Sequence, residues 1–163
     1  MSYDLFSLND RKNPVNINMI IWIKLLDLSE MYGWEPLGTL HQPISRISVH
    51  SKEKIKNWEG SYFTNDGQII ATEDALALAN GLEAALDDIP DIETTEKMID
   101  LREGSDLSGF GYAKEIYQLL IDIHGGSCCL NGNLHPFDFF SGDMKQEVID
   151  FIGFCRKGGF TIS

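Results

Sequence analysis

The sequence predicts an α+β fold: about four helices packed with a small antiparallel β-sheet, in a single globular domain covering 1–163. Three observations predict it. The chain is 43% hydrophobic and 23% charged, ordinary for a folded domain and too apolar for a disordered one. Apolar residues recur at helical spacing in four segments, whereas extended-type runs are short. A length of 163 residues suits one core, and no linker divides it.

"DLFSL" opens the chain as a candidate strand. The first helix is expected from about Asn18 to Tyr32, with Ile21, Leu25, Leu28 and Tyr32 on one stripe. Asn16 or Asn18 supplies a cap, Gly33 occupies the usual left-handed C′ position, and Pro36 forbids continuation. "ISRISVH" from Ile44 reads as extended, and "GSYF" and "QIIA" read as the two arms of a hairpin about Asn65-Asp66-Gly67. The second helix is expected to start at Thr72 as N-cap, with Glu73 and Asp74 favouring the positive end of its dipole. Its stripe is Ala75, Leu78, Ala79, Leu82, Leu86 and Ile89, and Pro90 ends it. Between Ile92 and Asp106 the pattern is weak and reads as a short helix or an irregular stretch. A third helix is expected over about Tyr112 to Ile123, followed by an irregular "GGSCCLNGNLHPFDFFSGD". The fourth opens at Ser141, carries Met144, Val148, Phe151, Ile152 and Cys155 on one face, and stops at Gly158-Gly159. "GFTIS" is a final strand candidate.

"TNDGQIIATED" invites a metal reading, because Gly67, Ile69 and Glu73 match the sixth, eighth and twelfth positions of a calcium loop. The first and third positions, which must supply carboxylates, fall on Tyr62 and Thr64. A turn accounts for every residue instead: Asn65-Asp66-Gly67 tolerate positive φ, and a strand and helix follow.

His124, Cys128, Cys129 and His135 crowd a Gly-rich segment and are proper zinc ligands by chemistry. They lack a CxxC pair, and adjacent cysteines rarely aim at one tetrahedral ion. The same residues could form a Cys–His nucleophile pair with Asp138 orienting His135, but no nearby cation or helix start lowers the thiol pKa. The glycines fit no phosphate-binding pattern, and no cofactor is expected. Three cysteines, two of them adjacent, read as reduced thiols. No apolar run is long enough for a membrane span, and "MSYDLFSLND" has no secretion-type lead, so a cytoplasmic protein is expected.

Charge carries the functional expectation. The formal net charge is −12, from 25 acids and 13 bases. Glu73 to Asp106 holds eleven acids against Lys97 and Arg102, so this segment alone carries −9 (−11 + 2). Such a field repels nucleic acid and anionic lipid and attracts basic partners. Arg46, Lys52, Lys54 and Lys56 form a small basic stretch that the rest of the molecule opposes. Asp87, Asp88, Asp91, Glu93 and Glu96 are the candidate partner-binding residues. Most aromatics read as core, with the rings of "HPFDFF" as candidate anchors on a loop.

"WEGSYFTNDGQIIATEDALALANGLEAAL" from Trp58 and "FSGDMKQEVIDFIGFCRKGGFTI" from Phe140 resemble segments of a group of small uncharacterised bacterial cytoplasmic proteins. The likeness spans about half the chain and implies no activity, cofactor or catalytic residue. Small acidic bacterial proteins of this kind are similar in class to toxin-neutralising immunity proteins. The expectation is a non-catalytic binding protein that docks on a basic partner, as an immunity-type inhibitor does. The alternatives are a metal- or thiol-dependent enzyme using the 124–135 loop, and a self-associating structural protein using the aromatics near Phe137.

Overall fold

A computed structural model describes residues 2–41, 54–56, 58–93, 99–102, 118–119, 122, 127–130 and 136–163. The described residues form an α+β arrangement of four helices, a four-stranded antiparallel sheet and a separate two-stranded ribbon. The strands are β1 (Ser2–Ser7), β2 (Val15–Asn18), β3 (Gln68–Ile70), β4 (Ile99–Arg102), β5 (Ser127–Leu130) and β6 (Phe160–Ile162). The helices are α1 (Met19–Met31), α2 (Thr72–Ala85), α3 (Pro136–Phe139) and α4 (Lys145–Cys155).

The larger sheet has the order β2-β1-β6-β3, so the last strand is inserted between the first and third. Leu5 of β1 faces Ile162, and Ile70 of β3 faces Phe160, which ties both ends of the chain to the middle. β1 alternates as a sheet with one covered face must: Tyr3, Leu5 and Ser7 point inward while Asp4 is exposed. The helices cover that face, with α2 packed between α1 and α4. Trp22 of α1 centres the core. Its ring meets Tyr3, Phe151 and Phe160, and its Nε1 donates to the Tyr62 carbonyl at 2.8 Å.

Several expectations need correction. "GSYF" is not a strand: β3 pairs with β6, and among the described residues its other side makes a single bridge, Leu40 to Ile69. Tyr62 is fully buried and its backbone is spent on Trp22, so no hairpin arm forms there. The turn itself is present, with Gly67 at φ 84° and its N–H donating to the Ile162 carbonyl. The residues expected only as helix caps also form β2. Asn18 does cap α1, accepting from the Ile20 N–H at 2.8 Å, but Val15–Asn18 also pair with β1. Thr72 is the first residue of α2 and not its cap; its Oγ1 accepts instead from Gly159 N–H at 3.2 Å. The stretches expected to be irregular contain β4, β5 and α3, and α4 is preceded by a 3₁₀ turn, Gly142–Met144. The candidate strand from Ile44 lies outside the described residues. So does most of the third expected helix, of which Gln118, Leu119 and Asp122 are helical.

Candidate functional site

α2 ends at Ala85 because the chain tightens into a 3₁₀ turn, Leu86–Asp88, before Pro90. Ile89 is buried and Leu86 half-buried, which turns Asp87 and Asp88 outward. Asp91, Ile92 and Glu93 follow, all exposed, with Ile92 82% exposed. This turn is pinned from two sides. Tyr32 at the end of α1 donates its hydroxyl to Asp88 Oδ2, and burial followed by that carboxylate pushes the phenol up to about 12. Lys145 at the start of α4 donates to the Ile89 carbonyl at 3.0 Å and to Asp91 Oδ1 at 2.7 Å. Gly142 N–H donates to the Pro90 carbonyl at 3.0 Å.

The last contact brings in residues that the linear charge count missed. Asp143 follows Gly142 directly and Glu147 lies one turn further on, both exposed. They extend the acidic turn across roughly fifty positions of sequence, a distance at which only the fold could join them. Among the described residues, Lys145 on Asp91 is the one cation within ion-pair distance of Asp87, Asp88, Asp91 or Glu93. Glu96 lies outside the described residues.

The acids from Glu73 to Asp106 are therefore not one face. Asp74 is fully buried, the third residue of α2, where the axial N–H groups favour a carboxylate. It accepts from Trp34 Nε1 at 2.9 Å, from the Tyr62 hydroxyl and, at 3.4 Å, from Leu37 N–H. Tyr62 in turn accepts from Gly38 N–H at 3.0 Å. Burial raises the Asp74 carboxyl above its ordinary range, and the hydrogen bonds oppose that shift. Its work is to hold the 34–38 and 58–62 segments against α2. Glu83 is exposed but paired with Arg156 of α4.

Of the metal and thiol candidates, two lie within the described residues. Cys128 and Cys129 lie on β5, opposite Leu101 and Asp100 in the ribbon register, while His124 and His135 lie outside the described residues. Cys155, on the inner face of α4, is fully buried; desolvation and then Asp74 push its thiol well up. Among the described residues, no three His, Cys, Asp or Glu side chains converge as a metal set. Phe137 and Phe139 of "HPFDFF" are half-buried and Phe140 fully so, with Phe137 packed edge-on against Tyr32, so the rings serve the core.

Two clefts remain. One of about 320 Å³ is bordered by Thr39, His41, Trp58 and Gln68. Its polar groups serve one another, as Trp58 Nε1 donates to Thr39 Oγ1 and Thr39 to Gln68 Oε1. The other, about 360 Å³, lies between Asn9, Thr72, Arg156 and Lys157. There Asn9 Nδ2 donates to the Lys157 carbonyl at 2.6 Å. Among the described residues no helix is long and apolar enough to cross a membrane. Comparison with known proteins found no matching family model, no matching curated protein and no matching solved structure.

Proposed function

We propose that this protein is a non-catalytic binding protein that docks a basic protein partner on the acidic turn after α2, in the manner of an immunity-type inhibitor. One observation carries the reading: an isoleucine that is 82% exposed stands between two exposed carboxylates, Asp91 and Glu93. An aliphatic side chain directly after a pinned turn is placed to act as a docking anchor, and the surrounding charge supplies steering. The fixed geometry supports it as well. Tyr32, Lys145 and Gly142 hold the turn before any partner arrives, so little ordering cost remains for binding.

The reading predicts a division of labour. Reversing Asp87, Asp88, Asp91, Glu93 and Glu96 to lysine slows association and removes its salt dependence. Ile92→Asp keeps the charge and speeds dissociation, weakening the complex roughly tenfold or more. The test immobilises the wild type and both variants, exposes each to lysate of the source cell, and then measures rates for each basic protein the wild type retains. Retention by all three surfaces with equal rates would end the proposal.

A further inference from the structure

We propose that the outer face of α4 is a self-association surface, on which a second copy of this chain lays its own α4 antiparallel. α4 buries Val148, Phe151, Ile152, Phe154 and Cys155 against the core. Gln146, Ile149, Gly153 and Arg156 are left as a stripe on the opposite side, at the three- and four-residue spacing of one helix face. Two members of that stripe are out of place in water. Ile149 is 42% exposed, and a Cβ built on Gly153 meets no atom of the described residues within 4 Å. Gly153 does not have the positive φ that requires glycine at Gly33, Gly67 or Gly158. A glycine inside a helix costs up to ~1 kcal/mol relative to alanine, and nothing in the described fold uses the space it leaves. An approaching backbone or side chain would.

Ile149 and Gly153 lie one turn apart, so they present a knob and a hollow side by side. A two-fold axis between them, near Phe151, sets Ile149 of each copy over Gly153 of the other. The contact is self-complementary, as a two-fold interface must be. The charges select the same arrangement. The first half of the segment carries exposed Asp143, Glu147 and Asp150, and its end carries exposed Arg156 and Lys157. Lys145, in the acidic half, is already spent on Asp91 and the Ile89 carbonyl. Arg156 is held by Glu83, which leaves Lys157 as the cation that reaches across. Under the two-fold axis Lys157 falls between Asp143 and Asp150 of the second copy. A parallel pair would instead set like charge against like and align the helix dipoles unfavourably. The occupant chosen by this charge order is therefore another copy of the same helix.

Sedimentation equilibrium of the full chain over a concentration series tests the proposal. The wild type is expected to dimerise. Gly153→Lys, which fills the hollow, and Ile149→Arg, which removes the knob, should each weaken the dimer by roughly tenfold or more. Circular dichroism of the dilute monomer should stay unchanged in both, and its thermal midpoint should not fall, rising slightly in Gly153→Lys as a better helix former replaces glycine. Lys157→Glu should weaken the dimer, and adding Asp150→Lys should restore it. A wild type that stays monomeric to the highest concentration would overturn the proposal. So would a dimer that both Gly153→Lys and Ile149→Arg leave intact, or one indifferent to the charge exchange.

Discussion

Asp74 accepts three hydrogen bonds from two separate loop segments, and no cation stands among its described partners. Removing it takes the carboxylate acceptor from the buried Trp34 N–H and Tyr62 hydroxyl, so Asp74→Ala should cost about 3 kcal/mol. Tyr62→Phe removes one donor and frees Gly38 N–H of its acceptor, and should cost about 1–2 kcal/mol. Urea denaturation of both variants checks the pair; a change below half a kcal/mol for Asp74→Ala would mean the loops are held elsewhere. Two glycines make a second comparison of single residues. A Cβ at Gly81 would lie 2.5 Å from Ser29 Oγ and 2.8 Å from the Ser29 carbonyl oxygen. That carbonyl belongs to α1 and cannot swing aside, so Gly81→Ala should destabilise by about 1–3 kcal/mol through forced separation of α1 and α2. Gly153→Ala, with open space around it, should instead stabilise the monomer by up to ~1 kcal/mol. Opposite signs from one substitution type in two helices, measured by thermal unfolding, test whether packing or propensity governs each position.

At the scale of the element, α1 is the unusual helix, because every residue from Trp22 to Ser29 is buried, including Lys24 and Asp27. Burial pushes the Lys24 amine down to about 8 and the Asp27 carboxyl up to about 6, each opposed by attraction to the other. The folded state therefore holds the Asp27 proton from the ordinary 3.8 up to about 6, where the unfolded chain has released it, so stability falls as pH rises through that window. Folded Lys24 gives up its proton near 8, well before the unfolded chain does at 10.5, so stability rises again with pH above about 8. The expected profile has a trough between about 6 and 8, with walls on the order of 3 kcal/mol. Denaturation midpoints across pH measure it; Asp27→Asn should flatten the acid wall and, by removing the charge that helps Lys24 keep its proton, start the alkaline wall at lower pH. The same helix shows what the sequence could carry. Asn18 and Gly33 mark its ends by local chemistry, and both do what their types dictate. Its inner stripe was read too narrowly, because a lysine and an aspartate look like solvent positions until the packing is known. The strand β2 is masked for a related reason: Val15-Asn16-Ile17-Asn18 alternates for only four residues and merges into the helix cap, and pairing with β1 makes it a strand. Local sequence points β3 to the nearest extended run, whereas its partner lies at the far end of the chain. Of the acidic site, the turn residues were legible as charge; Asp143 and Glu147 were not, since they join it only through Gly142 and Pro90.

For the molecule as a whole, the deciding quantity is a net charge of −12 with few local neutralisations. Among the described residues the ion pairs are Lys145 with Asp91, Arg156 with Glu83 and a long contact of His41 with Asp66 at 3.7 Å. Self-repulsion of this size opposes the compact state and is screened once the Debye length falls to ~10 Å, near 0.1 M salt. Added sodium chloride should thus raise the thermal midpoint, and it should do so most at alkaline pH, where the carboxylates are fully ionised. Docking on a basic partner answers to the same screening with the opposite sign, because salt weakens attraction between unlike charges. The two responses are measured separately, by calorimetry of the protein alone and by association rates with whatever basic protein it retains. Asp27 provides the control: its buried carboxyl is shielded from bulk ions, so Asp27→Asn should shift the midpoint at every salt concentration without altering the slope. A midpoint that falls with salt would show that local pairing, and not net repulsion, dominates the surface. The acidic turn would then lack the unspent charge that its role as a docking face requires.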